Sequence, residues 1–266
     1  VSRALRDLPN VAASTRDRVR NVAAALHYRP DPSAARLAAG RTQAVTVLVP
    51  HLAGWYFSTV VAGAEAVCTE AGYDFMVVGV GTLPETHRLL DAHHQIERRT
   101  DGVIAVNIPV TPADARSLRD RRVALATVGT RAAGSPSVYV DDAAVGALAA
   151  RTLVDLGHRR VGLISGRGDD PLQFEVPKLR HQGFVEALAS CGVDIDPTLV
   201  ADGNFDIAGG QEAARALLDR PEPPTALFAM SDEMAFGVLA ELDRRGLRAG
   251  HDVSVVGVDD HEESRV

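Results

Sequence analysis

Residues 28–50, YRPDPSAARLAAGRTQAVTVLVP, set the organisation of the chain, because a short capped helix runs straight into an apolar strand. Asp31 suits the helix N-cap, where a carboxylate accepts backbone N–H groups that lack intrahelical partners. Pro32 suits the first helical position, where its missing N–H costs nothing. Gly40 takes the left-handed conformation that ends a helix. About two turns remain, too few to hold a helix in water without a partner. AVTVLVP (44–50) is a nearly continuous apolar run, the pattern of a parallel strand covered on both faces.

Charge names the kind of partner. The chain of 266 residues carries a net charge of −7, yet residues 1–42 hold eight Arg against three Asp and no Glu. A basic arm on an acidic body is the footprint of a phosphate-binding segment. DNA repels the body, which confines contact to the arm. Upstream of that short helix, residues 15–27 place Val19, Val22, Ala23 and Leu26 at helical spacing with Arg on the other face. Val1–Leu5 reads as the last turn of an earlier helix. Both chain ends read as cuts.

Downstream, strands alternate with helices. Strands are expected at 44–50, 74–80, 101–108, 123–129, 137–140, 160–166, 198–203, 225–230 and 253–258. Helices are expected at 58–71, 83–99, 113–121, 143–156, 178–191, 207–219 and 232–245, with Thr82 and Glu85 resembling a capping box. The alternation predicts an α/β fold with parallel sheets wound right-handed, in two similar subdomains facing a cleft. No run of about 18 apolar residues marks a membrane span, and VSRALRDLPN is no signal peptide. Cys68 and Cys191, far apart in apolar helical contexts, read as buried reduced thiols without metal-ligand spacing.

Enzyme signals are weak. Gly79-Val-Gly81 and Gly166-Arg-Gly168 lack the third glycine of a dinucleotide loop and the lysine of a phosphate loop. No nucleophile elbow is present, and His93 and His94, adjacent on an expected helix, point different ways. No metal or cofactor is expected, and the chain reads as a non-enzyme. The acidic pairs Asp141-Asp142, Asp232-Glu233 and Asp259-Asp260 stand at or just beyond the C-terminal ends of expected strands, the ligand-binding edge of open α/β sheets. Asp142 and Asp232 are equally placed as helix N-caps. Carboxylates beside the rings of Trp55-Tyr56-Phe57 and Phe205, with Arg180 as a donor fork, suit a polyhydroxylated ligand. Three adjacent rings cannot all face inward, so at least one of the three is expected to be exposed.

VSRAL (1–5), STRDRVRNVAAALHYRP (14–30) and SAARLAAGRT (33–42) resemble the head and hinge of lactose-repressor-type (LacI/GalR) bacterial transcription regulators. So do GAEAVCTEAGYDFMVVGV, RRTDGVIAV, VYVDDAAVGALAARTLVDLGHRRVGLISG, RHQGF, PTALFAMSDEMAFGVLAEL and HDVSVVGVDD, in the same order and spacing, over essentially the whole chain. The resemblance implies a partial helix-turn-helix head at 1–29 and a hinge helix at 30–43. It further implies two Rossmann-like, periplasmic-binding-protein-like subdomains at 44–140 and 141–266, with the chain truncated at both ends. It places Ser2 and Arg3 on a recognition helix in the major groove. It makes Leu37 a wedge in the minor groove, flanked by Ala34 and Arg36. Effector contacts map onto Tyr56, Phe57, Arg180, Phe205, Asp232 and Asp259, with Asp141 or Asp142 in support.

Three positions depart from the family pattern. His51 and Trp55 stand where Asp and Pro are usual, which alters the pocket rim, and Ala12 replaces a Ser cap that is expected to shift to Ser14. The implied function is a cytoplasmic, homodimeric repressor of operator DNA, gated by a sugar or alternatively by a purine or nucleoside. A sugar-binding receptor of a transport system is the rival reading, and the basic arm counts against it.

Overall fold

A computed structural model describes residues 1–5, 7, 9–28, 40–91 and 95–265, and of Ser2 the backbone alone. Asp31, Pro32, Ala34, Arg36, Leu37, His93 and His94 therefore lie outside the described residues, and with them the expected hinge helix.

Among the described residues, nine strands form two wholly parallel sheets. In the first, β1 (Ala44–Val49) lies between β2 (Asp74–Gly79) and β3 (Gly102–Val106), followed by β4 (Ala124–Val128) and β5 (Ser137–Val138). In the second, β6 (Val161–Ser165) lies between β7 (Val200–Asp202) and β8 (Ala226–Ala229), with β9 (Ser254–Val256) beyond β8. All nine strands fall inside the segments expected from sequence. β1 is buried except at Val45, and β6 and β8 are buried throughout, as apolar runs covered on both faces must be. In each sheet the second strand lies on one side of the first and the third on the other. The winding therefore reverses there, and a crevice opens beyond the strands' C-terminal ends.

Two short helices, α1 (Ser2–Leu5) and α2 (Ala13–Ala25), precede the sheets and pack on each other through buried Ala4. α2 begins at Ala13 with Ala12 as an N-cap that makes no side-chain bond, so the cap does not shift to Ser14. Val22 and Leu26 of its apolar stripe are exposed, Leu26 at 72%. In the first subdomain, α3 (Trp55–Glu70), α4 (Leu83–Leu90) and α5 (Pro112–Asp120) flank the sheet. In the second, the helices are α6 (Asp142–Asp155), α7 (Glu175–Ser190), α8 (Ile207–Leu218) and α9 (Asp232–Arg244).

The expected helix 83–99 is not continuous. α4 stops at Leu90, Asp91 is extended, and a 3-10 turn occupies Ile96–Arg98 after Gln95 in the left-handed region. Leu90 and Ile96 are both buried. Six residues of continuous helix would place them about 240° apart around the axis, so the break lets both reach the core. Of the expected capping box, Thr82 accepts the Glu85 N–H, but Glu85 returns its bond to the Gly81 N–H. The thiols are less buried than expected: Cys68 is half-buried and Cys191 exposed, both free.

The second subdomain has one core around Phe184 and Phe228, whose ring centroids lie 5.0 Å apart. There the α6 and α7 backbones touch. A Cβ on Gly146 would sit 2.0 Å from the Arg180 carbonyl oxygen, and one on Gly183 would sit 1.9 Å from that of Ala143. That close approach brings the first turn of α6 beside the second turn of α7. Gly183→Ala is expected to lower stability by about 1–3 kcal/mol through overpacking. An unchanged urea midpoint would show that the two helices can part without loss.

Candidate functional site

A cavity of about 460 Å³ lies between the subdomains, lined from both. Tyr56 and Phe57 enter it from the first turn of α3, Asn107 from the end of β3, and Tyr139 from beyond β5. Opposite stand Asp142 and Arg180, Phe174 just before α7, Phe205 after β7, Glu233 in the first turn of α9 and Asp259 after β9. Several of these follow directly on the C-terminal ends of strands, where backbone N–H groups and helix N-termini converge.

Arg180 is the polar centre of the second wall. It is 9% exposed, donates from Nε to Asp142 Oδ1 at 2.9 Å, and donates from one terminal nitrogen to the Met230 carbonyl. Its other terminal nitrogen has no protein partner among the described residues. Desolvation by burial pushes the Asp142 carboxyl up, against the pull of the Arg180 charge and hydrogen bond. Burial is therefore the stronger influence on Asp142.

The other titratable groups report the same dry setting. Desolvation raises Tyr56, whose hydroxyl donates to Asn107 Oδ1 at 3.3 Å, and the Asp142 charge raises it further. Desolvation likewise raises Glu233, against the backbone N–H of Trp55. Asp259 is pushed up to about 6 by desolvation, with Arg180 opposing and Asp232 and Glu233 adding like charge. Asn204 and Phe205 both take positive φ, and the Phe205 ring lies where Gly166 has no side chain. A Cβ on Gly166 would meet it at 2.2 Å.

Of the residues read from sequence, Tyr56, Phe57, Arg180, Phe205 and Asp259 line this cavity together. Asp141 and Asp232 do not. Asp141 is the N-cap of α6, where its carboxylate accepts the Ala144 N–H at 3.0 Å and turns away from the cavity. The next residue, Asp142, faces Arg180 instead. Ser231, not Asp232, caps α9. The Asp232 carboxylate accepts the His261 N–H at 2.9 Å and its own N–H donates to the Val258 carbonyl at 2.8 Å, so it pins the loop that carries Asp259. Glu233, Asn107, Phe174 and Tyr139 were not read as ligand contacts; Glu233 alone carried a signal, as the second member of an acidic pair.

None of the three adjacent rings is exposed, contrary to expectation: all are half-buried, and Trp55 is the one that stands off the cavity. Its indole N–H donates to Glu262 at 2.9 Å and its ring lies 4.5 Å from that of His261, so it ties the first subdomain to the second. At the other end of the first subdomain, Asp101 accepts the Thr42 N–H at 2.7 Å, the Thr42 hydroxyl at 2.9 Å and the Gln43 N–H at 3.0 Å. Against the desolvation it suffers, these bonds hold the Asp101 carboxyl below its ordinary range.

On the basic arm, Arg3 is exposed and donates to the Pro9 carbonyl at 3.1 Å. Asp7 takes Arg20 at 2.5 Å and Arg16 at 3.4 Å. Among the described residues no group of His, Cys, Asp and Glu side chains can hold a metal ion, and no helix is long and apolar enough to cross a membrane.

Residues 150–266 match the family model of the periplasmic binding protein-like domain. Over 97% of this chain, and 75% of the relative, the sequence is 31% identical to the HTH-type transcriptional repressor CytR of Escherichia coli (strain K12). The lac repressor dimer bound to operator and the anti-inducer ONPF superposes with a TM-score of 0.80 at 26% identity, covering 99% of this chain and 78% of that one. The complex of the transcriptional regulator CelR with cellobiose gives a TM-score of 0.68 at 30% identity, over 97% and 78%. These relatives are regulators of transcription and not enzymes.

The raised Asp259 carboxyl makes stability depend on pH. Its ordinary value is 3.8 and its folded value about 6. Between those values the folded state holds the proton more tightly, so this group's contribution to stability falls as pH rises from about 4 to about 6. Asp259→Asn is expected to remove that fall, seen as a flatter profile of melting temperature against pH. An unchanged slope would place the effect elsewhere.

Proposed function

The chain belongs to the lactose-repressor-type (LacI/GalR) family of bacterial DNA-binding transcription regulators, and on that premise we propose that its interdomain cavity binds a sugar whose occupancy sets the affinity for operator DNA. The single observation that carries this reading is the Arg180–Asp142 pair, buried in a cleft walled by aromatic rings. Rings cover the apolar faces of a sugar. The unpaired terminal nitrogen of Arg180 donates to a ligand oxygen, while Asp259, Glu233 and Asn107 accept from hydroxyls. Cellobiose in the CelR complex is the precedent for such a ligand.

The domain limits 1–29, 30–43, 44–140 and 141–266 follow from this assignment. Ser2, Arg3, Ala34, Arg36 and Leu37 contact DNA; Tyr56, Phe57, Arg180, Phe205 and Asp259 contact the effector; Asp141 and Asp232 support it by fixing α6 and the Asp259 loop. The protein acts in the cytoplasm, where its operator is. It acts as a homodimer, and α3, which buries no residue, together with half-buried β2 offers a face for the second copy.

Effector binding changes how the subdomains close. The Asp101 bonds to Thr42 and Gln43 carry that movement to the base of the hinge, whose helices form or melt in the minor groove. Coupling of about 1–3 kcal/mol is enough to switch the operator.

Two variants of the intact dimer test the two ends of this mechanism. Arg180→Ala is expected to weaken effector binding about ten-fold or more, by loss of a charged hydrogen bond, and to leave operator binding in place. Unchanged effector affinity by calorimetry refutes its role. Leu37→Ala is expected to weaken specific operator binding more than non-specific binding in a gel-shift titration. Equal losses on both DNAs refute the wedge.

A further inference from the structure

The charge balance of the cleft bears on which form of a sugar it accepts. Five carboxylates line it, those of Asp142, Asp170, Asp206, Glu233 and Asp259, against the guanidinium groups of Arg167 and Arg180. Arg180 is matched inside the wall, while Arg167 stands exposed at the rim. Arg180 is held by Asp142, and Arg167 makes a two-pronged pair with Asp169 at 2.9 and 3.0 Å. Among the described residues that line the cleft, carboxylates therefore outnumber guanidinium groups five to two. Desolvation already raises Asp142, Glu233 and Asp259. An added anion would meet these charges in a medium of low dielectric, where repulsion is strong. The free edge of Arg180 then suits a hydroxyl or ring oxygen, which asks for one hydrogen bond and no neutralising charge.

We propose that the cleft is built for an uncharged polyhydroxylated ligand and excludes the phosphate esters of that ligand by charge. The protein thereby reports the free sugar or nucleoside rather than its phosphorylated form. This rests on the reading of the cavity as the effector site. In sequence terms the selection is written into Asp206, which also caps α8 through the Gly209 N–H at 2.7 Å, and into Glu233 and Asp259. Fixed by the helix and loop that carry them, these carboxylates stay in place when the ligand enters.

The test titrates the intact protein with a panel of neutral mono- and disaccharides and nucleosides, each beside its own monophosphate ester. Calorimetry and the fluorescence of Trp55, the sole tryptophan, read binding. The expected result is that one or more neutral compounds bind while their esters bind about ten-fold or more weaker. The gap is expected to narrow in Glu233→Gln, which removes one of the opposing charges from the lining. An ester that binds as well as its parent overturns the proposal and leaves the cavity as the effector site. A gap that is unchanged in that variant also overturns it, since the exclusion is then steric. Binding by no member of either set overturns the effector reading itself, and the proposal with it.

Discussion

The contact between Asp142 and Arg180 is the constraint on which the cleft depends. It exists because α6 and α7 touch backbone to backbone at Gly146 and Gly183. No larger residue at either position leaves room for the crossing. The helices in turn are held by the Phe184–Phe228 core beneath them. The pair is a poor source of stability, because desolvation outweighs attraction at Asp142. What it supplies is orientation. A guanidinium fixed by a carboxylate on one side and a carbonyl on another keeps one edge free in one direction, and that edge meets whatever enters the cavity.

Two joints connect this centre to the rest of the chain. Trp55 bridges the subdomains through Glu262 and His261, and Phe236 meets the same imidazole edge-on at 5.2 Å. Asp101 binds the segment that leads down from residue 42. The first joint spans the two subdomains; the second ties the first sheet to the segment before it. Asp101 lies immediately before β3, and Thr100 beside it donates to the Ala44 and Gly102 carbonyls. Strands β1 and β3 thus share one anchor with the chain that enters β1. A shift of the first subdomain cannot leave that entry point behind.

The sheets were legible in the sequence because buried parallel strands carry a signal of their own: AVTVLV and ALFA have no polar face to confuse them. The lining of the cavity was legible where a residue type had one plausible use, as with Arg180 at the head of RHQGF or Asp259 after β9. It was not legible where two neighbours shared a type. Asp141 and Asp142 differ by one position on a helix start, and only φ and ψ decide which one caps. Nor was it legible which of the rings of Trp55, Tyr56 and Phe57 stands off the cavity. A helix turns 100° per residue, so the first ring of three is swung out of the arc that Tyr56 and Phe57 share. Helix 83–99 failed for the related reason that two buried positions six apart demand a break that periodicity does not announce. His158, inside the LGHRR segment, shows the opposite case. Its ring bridges Thr225 and Ser254 at 2.9 Å each, so a motif recognised for its family turns out to tie the starts of β8 and β9.

Charge separates the two tasks of the molecule. Residues 1–42 are basic and the remainder acidic, so a polyanionic duplex is drawn to one end and repelled by the other. Within the arm, Asp7 ties down Arg16 and Arg20, and Arg3 leans on its own backbone. These ties orient the basic side chains before any duplex arrives, at the cost of some of the attraction. The acidic surplus of the body continues into the cleft, where it turns from a question of where DNA binds into one of which ligands enter. The same sign of charge that keeps a duplex off the body also keeps anions out of the cavity, so a nucleic acid and a neutral effector never compete for one surface. In the proposed mechanism communication between them runs through the chain, and the contacts from β1 and β3 through Asp101 to Thr42 are where the first sheet meets the arm.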